Sequence, residues 1–284
     1  MPDTHLAIED LREAADLFRP IHDRTDGFDG WVSLEVSPLL AHDTAGTLAA
    51  AKALHTRAER SNLFIKIPGT SAGLLAIEEA IFVGVPINVT LLFSGTQYVA
   101  AAEAYLRGIE RRIAAGLNPD VASVASLFVS RWDVAVKDKA PEALRNQLGI
   151  AVAWDAYERY RALQDSPRWQ RILNAGTRSQ RLLWASTGTK DPGASQLLYV
   201  QALAKPFTVN TMPEATLKAL AAHEEFGEAL PGRADGVLAE FAKVAIDTAA
   251  VAAQLLREGI ESFAKSWSDL IACIASKSEA VKAA

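Results

Sequence analysis

A lysine inside an apolar run is the residue in this sequence best suited to covalent chemistry. Lys66 lies within residues 63–67, where every neighbour is leucine, phenylalanine or isoleucine. Burial disfavours an ammonium ion, so it favours a neutral amine that can attack a carbonyl carbon. The alternative is a lysine at a strand end whose amine extends into water, which is the commoner situation. The setting of Lys66 therefore permits a Schiff-base lysine without requiring one.

Three further polar residues could serve such a lysine. Glu35 lies among apolar residues and could exchange protons directly or through a water molecule. Asn88 and Thr90 alternate in an apolar run, so both point to one face of a strand and could hold substrate hydroxyls and a water. The alternatives are an edge-strand carboxylate that faces solvent for Glu35, and ordinary strand-end hydrogen bonding for the other two.

Hydroxyl and cationic side chains follow two later apolar runs. Ser126 and Arg131 accompany one of these runs, and Ser186 and Lys190 follow the other. A guanidinium can bind a phosphate through two hydrogen bonds, and the backbone N–H groups of a small-residue turn can face an anion. Surface ion pairing is the alternative for either cation. Taken with an acid, an amine and an amide, this set suits a polyhydroxylated, phosphorylated substrate.

The elements that must position these residues alternate along the chain. Six short β-rich runs predict strands at residues 31–36, 63–67, 87–93, 121–129, 181–186 and 207–210. Helical patterns lie between them and dominate residues 237–275, where we predict two helices broken near Gly259. Helix starts are predicted at Asp43 or Thr44, at Thr70 or Ser71, and after Ser94. A helical segment at residues 7–18 precedes the first strand.

This alternation predicts an α/β fold with a parallel sheet, in which reactive groups lie at the carboxyl ends of the strands. A TIM (β/α)8-type barrel has eight strands, so we predict an incomplete barrel with about six of them. No linker divides the chain, and we predict one domain over residues 1–284. It would comprise a helical segment at 1–29, the barrel elements at 30–236 and terminal helices at 237–275.

Composition restricts the classes of partner. The formal net charge is −5 and evenly spread, so we expect no nucleic-acid partner. A single cysteine, Cys273, excludes an internal disulfide and fits a reducing cytoplasm. The five histidines stand singly, so we expect no zinc site. No apolar stretch approaches the roughly 20 residues of a membrane helix. An open sheet edge could lead to a homo-oligomer.

Several sequence strings together resemble the transaldolase family. In order along the chain, they occupy residues 30–38, 65–70, 87–94, 125–131, 184–190 and 209–217. Each string alone is modest, but their order and spacing make the resemblance specific.

The resemblance implies a catalytic group of three residues. Lys66 would form the Schiff base with a ketose, and Glu35 and Thr90 would hold the water that relays protons. The protonated imine is then the electron sink, so no metal or cofactor is expected.

It also implies a set of substrate-binding residues. Asn88 and Ser126 would bind the sugar chain, and Arg131 with Ser186 would bind the terminal phosphate. Much of the family has another arginine shortly after the position of Ser186, and Lys190 would take its place here.

Members of the family usually begin with two more strands, which carry an acid/base aspartate and a substrate-binding asparagine. This sequence starts after both, and neither Asp29 nor Asp43 matches the aspartate's setting. Three interpretations follow. The first is a transaldolase of the pentose phosphate pathway that transfers a dihydroxyacetone unit from sedoheptulose 7-phosphate or fructose 6-phosphate to an aldose phosphate. The second is a fructose-6-phosphate-type aldolase, and the third is an inactive barrel fragment that acts as a binding or scaffold protein.

Overall fold

The computed structural model describes residues 3–223 and 234–283 of the chain. Within these ranges six strands form one sheet in sequence order, and β1 and β6 are its end strands, so the sheet does not close. Sequential parallel strands connected by helices are the arrangement of the (β/α) barrel class. The predicted six strands of such a barrel are confirmed: β1 (Val32–Glu35), β2 (Leu63–Pro68), β3 (Ile87–Leu92), β4 (Ser123–Phe128), β5 (Arg181–Ala185) and β6 (Thr208–Asn210).

Helices connect and follow the strands. They are α1 (Asp3–Arg24), α2 (Thr44–Ala58), α3 (Ser71–Phe82), α4 (Gly95–Ala114), α5 (Ser130–Val136), α6 (Leu148–Gln164), α7 (Pro167–Asn174), α8 (Leu198–Ala202), α9 (Glu214–Ala221), α10 (Ala234–Lys243) and α11 (Thr248–Ala283). Across the two described ranges, no helix combines the length and the apolar character needed to span a bilayer.

The chain forms two compact units. The first comprises Met1–Val89, Ala104–Ser123 and Glu258–Ala284, and the second comprises Thr90–Glu103 and Val124–Arg257. Strand β3 begins in the first unit and ends in the second. The single-domain boundaries expected from the sequence stay a prediction.

In the first unit, a buried asparagine fixes the start of β2. Asn62 is fully buried, and its side-chain amide donates to the carbonyl oxygens of Ala15 at 2.8 Å and Gly30 at 2.9 Å. These bonds join α1, the segment before β1 and the segment before β2. The parallel register of β1 and β2 that follows places Glu35 beside Lys66.

Two predicted helix starts in the first unit are confirmed by their hydrogen bonds. The N–H of Gly46 donates to the Asp43 carboxylate at 2.9 Å, which caps α2. The N–H of Gly73 donates to Thr70 Oγ1 at 2.9 Å, which caps α3, and the Thr70 hydroxyl itself donates to the Ala41 carbonyl. A side-chain oxygen at these positions satisfies a helix N–H that has no partner within the helix.

The sequence pattern predicts a helical segment at residues 7–18, and the helix in the structure is longer. Helix α1 runs from Asp3 to Arg24 and contains Pro20. Two arginines, one in α1 and one just after α2, hold α1 against the carboxyl end of α2. Arg12 donates to the Ala58 carbonyl, and Arg60 pairs with Asp16 through two bonds of 2.6 and 2.8 Å. Positive charge is favourable where helix carbonyls lack partners.

In the second unit, β5 lies between β4 and β6 in parallel register. Ser126 of β4 aligns with Leu183 of β5, which aligns with Val209 of β6. The predicted start of α4 is also confirmed, because the N–H of Gln97 donates to Ser94 Oγ at 3.1 Å. Every residue of β4 is buried, as expected for a strand covered on both faces.

The predicted helix break near Gly259 is wrong. Gly259 lies inside α11, and the break lies earlier, between α10 and α11. There Ala245 has a left-handed φ of 59°, and the Asp247 carboxylate accepts from the N–H groups of Ala249 and Ala250. A glycine costs a helix only about 1 kcal/mol relative to alanine, so it weakens a long helix without ending it. The cap at Asp247 decides where α11 begins.

The asparagine that joins three segments in the first unit gives a prediction of stability. Asn62→Ala leaves the buried carbonyl of Ala15 and the part-buried carbonyl of Gly30 without their donor and should lower the free energy of unfolding by about 2 to 3 kcal/mol. Asn118→Ala is the matched control. Asn118 is exposed and accepts from the N–H of Asp120, so its loss should cost less than about 1 kcal/mol. Urea denaturation measures both values, and equal losses would contradict the role given to Asn62.

Candidate active site

The lysine singled out from the sequence forms an ion pair at the end of two adjacent strands. Lys66 Nζ lies 3.3 Å from Glu35 Oε2, and the two side chains are 24% and 27% exposed. This contact follows from the parallel register of β1 and β2, which sets Glu35 opposite Lys66. The residues on either side of the lysine, Ile65 and Ile67, are fully buried. Lys66 is therefore held at a carboxylate rather than extended into bulk water.

The environment of Glu35 changes its acidity. Burial raises the pKa of the Glu35 carboxyl above its usual value, and the neighbouring Lys66 amine opposes that change without cancelling it. A carboxyl with a raised pKa can hold a proton nearer to neutral pH and return it. The pair therefore offers an amine and a proton-exchanging acid in direct contact.

Two more polar residues lie on the same face of the first unit's strands. Because side chains alternate along a strand, Ser33 and Glu35 point to one face of β1. The side-chain amide of Asn88, on β3, donates to Ser33 Oγ at 3.2 Å. Asn88 is thereby placed on that face too, as its predicted role requires. Ser33 was missed in the sequence, although its spacing of two from Glu35 was a usable signal.

Thr90 is fully buried, and its hydroxyl has no hydrogen-bond partner among the described residues. Buried hydroxyl groups in proteins are nearly always paired, so this one is suited to hold a water molecule or a substrate atom. The next residue, Leu91, has a left-handed φ of 59°, which is rare for leucine inside a strand. Strained backbone of this kind is concentrated at functional sites.

In the second unit, two serines join the ends of β4 and β5. Ser130 Oγ lies 2.9 Å from Ser186 Oγ, and the N–H of Ser130 donates to the Ser186 carbonyl at 3.0 Å. Ser186 adopts a left-handed φ of 56°. Ser130 was missed in the sequence, although it directly precedes Arg131. The predicted Ser186 thus lies beside the segment that carries Arg131.

The other predicted residues of the second unit differ in exposure. Ser126 is buried on β4, and the guanidinium of Arg131 lies 5.4 Å from the centroid of the Phe128 ring. Lys190 is exposed, in the turn that follows β5. In that turn the Thr187 hydroxyl is 2.9 Å from Asn210 Oδ1 and 3.0 Å from a backbone carbonyl of the segment after β6.

The parts of the chain that the structure describes contain no group of three or more histidine, cysteine, aspartate or glutamate residues that could hold a metal ion.

An α/β fold with sequential parallel strands is that of the α/β-barrel class, in which active sites lie at the carboxyl ends of the strands, where this chain carries its amine–carboxylate pair. Comparison with known families makes this specific. Residues 3–274 match the family model for transaldolase/fructose-6-phosphate aldolase, and the chain belongs to that family of enzymes.

Similar proteins agree with this assignment. A transaldolase of Parafrankia sp. (strain EAN1pec) is 47% identical over 274 residues, which cover 92% of this chain and 74% of the relative. A transaldolase of Acidothermus cellulolyticus is 45% identical over 95% of this chain and 75% of its own length. A protein of Nostoc sp. (strain PCC 7120) named transaldolase 2 is 40% identical, with coverage of 94% and 76%.

The ion pair predicts a pH-dependent stability. In Lys66→Met the Glu35 carboxylate loses its counter-ion. The folded-state pKa of Glu35, already raised by burial, should then rise further above the ordinary value of a glutamate carboxyl, 4.5. A raised carboxyl pKa lowers the free energy of unfolding as pH rises through that range, because the folded state resists ionisation. At pH 8 the free energy of unfolding of Lys66→Met should therefore be about 1 to 2 kcal/mol lower than that of the Lys66→Met/Glu35→Gln double variant.

Urea denaturation at several pH values measures this difference. It should shrink as pH falls below 4.5, where Glu35 is protonated in the unfolded chain as well. A difference that does not change with pH would show that Glu35 is not desolvated in the way the structure indicates.

Proposed function

We propose that this protein is a transaldolase that moves a three-carbon dihydroxyacetone unit between sugar phosphates through a Schiff base on Lys66. The observation that carries the proposal is the contact between Lys66 Nζ and Glu35 Oε2 at 3.3 Å, in a position where both side chains are about three-quarters covered. The family match adds the reaction class, because the chain's relatives in Parafrankia and Acidothermus are named transaldolases.

The first step forms the covalent intermediate. The amine of Lys66 attacks the C2 carbonyl of fructose 6-phosphate or sedoheptulose 7-phosphate, and water leaves to give an iminium ion. The iminium withdraws electrons, so the C4 hydroxyl can lose its proton while the C3–C4 bond breaks. An aldose phosphate departs, and the remaining three carbons stay on Lys66 as an enamine.

The second step transfers the unit. The enamine carbon attacks the aldehyde of an acceptor aldose phosphate, which restores the iminium, and water then hydrolyses it to release the new ketose. In both steps Glu35 relays protons through a water molecule, and the role of the Thr90 hydroxyl is to hold a water. The raised pKa of Glu35 and the unpaired hydroxyl of Thr90 support these roles.

The remaining residues bind and orient the substrate. Asn88 and Ser126 bind the hydroxyl groups of the sugar chain, and both are buried polar residues on strands. Arg131 with Ser186 binds the terminal phosphate, since a guanidinium and a hydroxyl are good partners for phosphate oxygens. Lys190 adds a positive charge from the turn after Ser186, and its exposure leaves it able to reach an anion.

A fructose-6-phosphate-type aldolase is the second candidate, because the matching family model includes that activity in its description. The two reactions differ in what takes up the enamine. An aldolase protonates it and frees dihydroxyacetone, whereas a transaldolase passes it to an acceptor aldehyde. Chromatography of products from fructose 6-phosphate, with and without erythrose 4-phosphate, distinguishes them. Free dihydroxyacetone made at the same rate under both conditions would favour the aldolase.

We also propose a cytoplasmic location, because the one cysteine is unpaired and exposed, which fits a reducing compartment. Assembly as a homo-oligomer is proposed from the two end strands of the sheet, since unpaired strand edges associate readily. Light scattering coupled to gel filtration measures the oligomeric state, and a monomer at all concentrations would contradict the second proposal.

The covalent step can be tested by trapping. Borohydride reduction in the presence of fructose 6-phosphate should attach the three-carbon unit to a peptide containing Lys66, identified by mass spectrometry. Lys66→Ala should abolish the adduct and lower kcat about 1,000-fold or more, because the nucleophile is removed.

Lys52→Ala is the matched control, since Lys52 is an exposed lysine of α2 and should leave both the adduct and the rate unchanged. An adduct on any lysine other than Lys66 would overturn the mechanism. No adduct in the wild-type protein would instead favour the interpretation as an inactive binding or scaffold protein.

A further inference from the structure

A buried carboxylate in the second unit connects three helices. Asp133 lies in α5, and only 8% of the residue is exposed. It accepts from the N–H groups of Leu148 at 3.0 Å and Gly149 at 3.3 Å, which begin α6. It also accepts from the hydroxyl of Tyr199, in α8, at 2.8 Å. Burial raises the pKa of Asp133 to about 6, and its hydrogen bonds to Tyr199, Gly149 and Leu148 act in the opposite direction.

The close approach of α6 to this carboxylate depends on a glycine. A Cβ added at Gly149 would lie 2.6 Å from the Val129 carbonyl oxygen and 2.8 Å from Asp133 Oδ2. Both distances are shorter than side-chain carbons tolerate, so any larger residue would push α6 away. The start of α6 is therefore fitted to the turn between β4 and α5.

The helix that carries Asp133 also carries the proposed phosphate-binding arginine. In the first turn of α5, Ser130, Trp132 and Asp133 are buried, whereas Arg131 is only half-buried. The bonds to Asp133 fix the rotation of α5 about its axis, because they hold one of its faces against α6 and α8. The direction in which Arg131 projects is set by that rotation.

The same network reaches the other proposed phosphate-binding segment. Helix α8, which carries Tyr199, ends the loop that begins at Ser186. A second bond joins this loop to the segment before α6, because the Asn146 side chain donates to Asp191 Oδ2 at 2.8 Å. Both segments that bear proposed phosphate ligands are thus connected to the start of α6.

We infer that Asp133 is a positioning residue for phosphate recognition, which acts with Tyr199 to hold the Arg131 segment and the loop after Ser186 in their binding arrangement. This inference rests on the proposed function, because it takes Arg131 and Ser186 as phosphate ligands. It adds two residues that touch no substrate and whose loss should weaken binding of a phosphorylated sugar. The loss of either residue should leave unchanged the binding of the same sugar without its phosphate.

A purely structural role for Asp133 would have a different outcome. The carboxylate would then serve only to cap α6, and its loss would reduce the amount of folded enzyme. Such a loss lowers the apparent rate with every substrate by the same factor and leaves each KM unchanged. The ratio of KM values for a phosphorylated and an unphosphorylated acceptor therefore distinguishes the two roles.

The experiment uses Tyr199→Phe in the full-length protein, with erythrose 4-phosphate or erythrose as acceptor and saturating fructose 6-phosphate as donor. We expect the KM for erythrose 4-phosphate to rise about fivefold, with kcat and the KM for erythrose within about twofold of wild type. Tyr98→Phe is the matched control, because Tyr98 is a fully buried tyrosine of the same unit whose hydroxyl has no partner among the described residues. It should leave all KM values unchanged.

Asp133→Ala should shift the same KM further, and Asp133→Asn should restore it toward wild type, because an amide oxygen can still accept from Leu148 and Gly149. If Asp133→Ala does not fold, Tyr199→Phe and Asp133→Asn still decide the question. Equal KM changes for both acceptors, or equal effects of Tyr199→Phe and Tyr98→Phe, would overturn this inference alone. A wild-type protein that forms no borohydride-trapped adduct would overturn the proposed function and this inference together.

Discussion

A lysine amine in an apolar strand needs a nearby group that compensates its positive charge. In this protein that group is the carboxylate of Glu35. Lys66 Nζ lies 3.3 Å from Glu35 Oε2 because β1 and β2 pair in one particular parallel register. A shift of one residue would turn Glu35 to the opposite face of its strand and leave Lys66 without a counter-ion. The register is secured at the other end of the strands by Asn62, whose buried amide bonds to two backbone carbonyls. The ion pair between Lys66 and Glu35 thus depends on hydrogen bonds several residues away.

In the second unit, the residues proposed to bind phosphate lie at the ends of β4 and β5, and hydrogen bonds connect these two ends. Ser130 bonds to Ser186 through both side chain and backbone. The buried carboxylate of Asp133, in α5, accepts hydrogen bonds from the N–H groups that begin α6. Burying an ionisable group is costly unless its hydrogen bonds are satisfied, and the structure supplies three partners for it. Such a network is costly to alter and therefore rigid.

Backbone strain occurs at the strand ends in the places where function is proposed. Leu91 follows Thr90 within β3, Ser186 is the first residue after β5, and both have left-handed φ angles. Non-glycine residues adopt this conformation at a cost of about 1 kcal/mol or more, which the buried surroundings of β3 and β5 offset. Leu91 thus lies next to the proposed water-binding Thr90, and Ser186 is itself a proposed phosphate ligand.

The amino-acid sequence by itself determined the six strands and the starts of three helices, at Asp43, Thr70 and Ser94, and it singled out the residues that are proposed to react. These features have local causes: apolar runs bounded by turn residues, a capping oxygen at Asp43 or Thr70, and a lone lysine among large apolar neighbours. Local signals failed at Gly259, where the helix-weakening effect of glycine competes with the helix-forming tendency of the residues around it. The glycine costs less free energy than the neighbouring helical turns contribute, so α11 continues through it. Only the tertiary structure decided that Glu35 meets Lys66, that Ser33 joins Asn88 and that Asp133 joins Tyr199. Those contacts depend on strand register and helix packing between segments far apart in the chain, and no local pattern of residues encodes them.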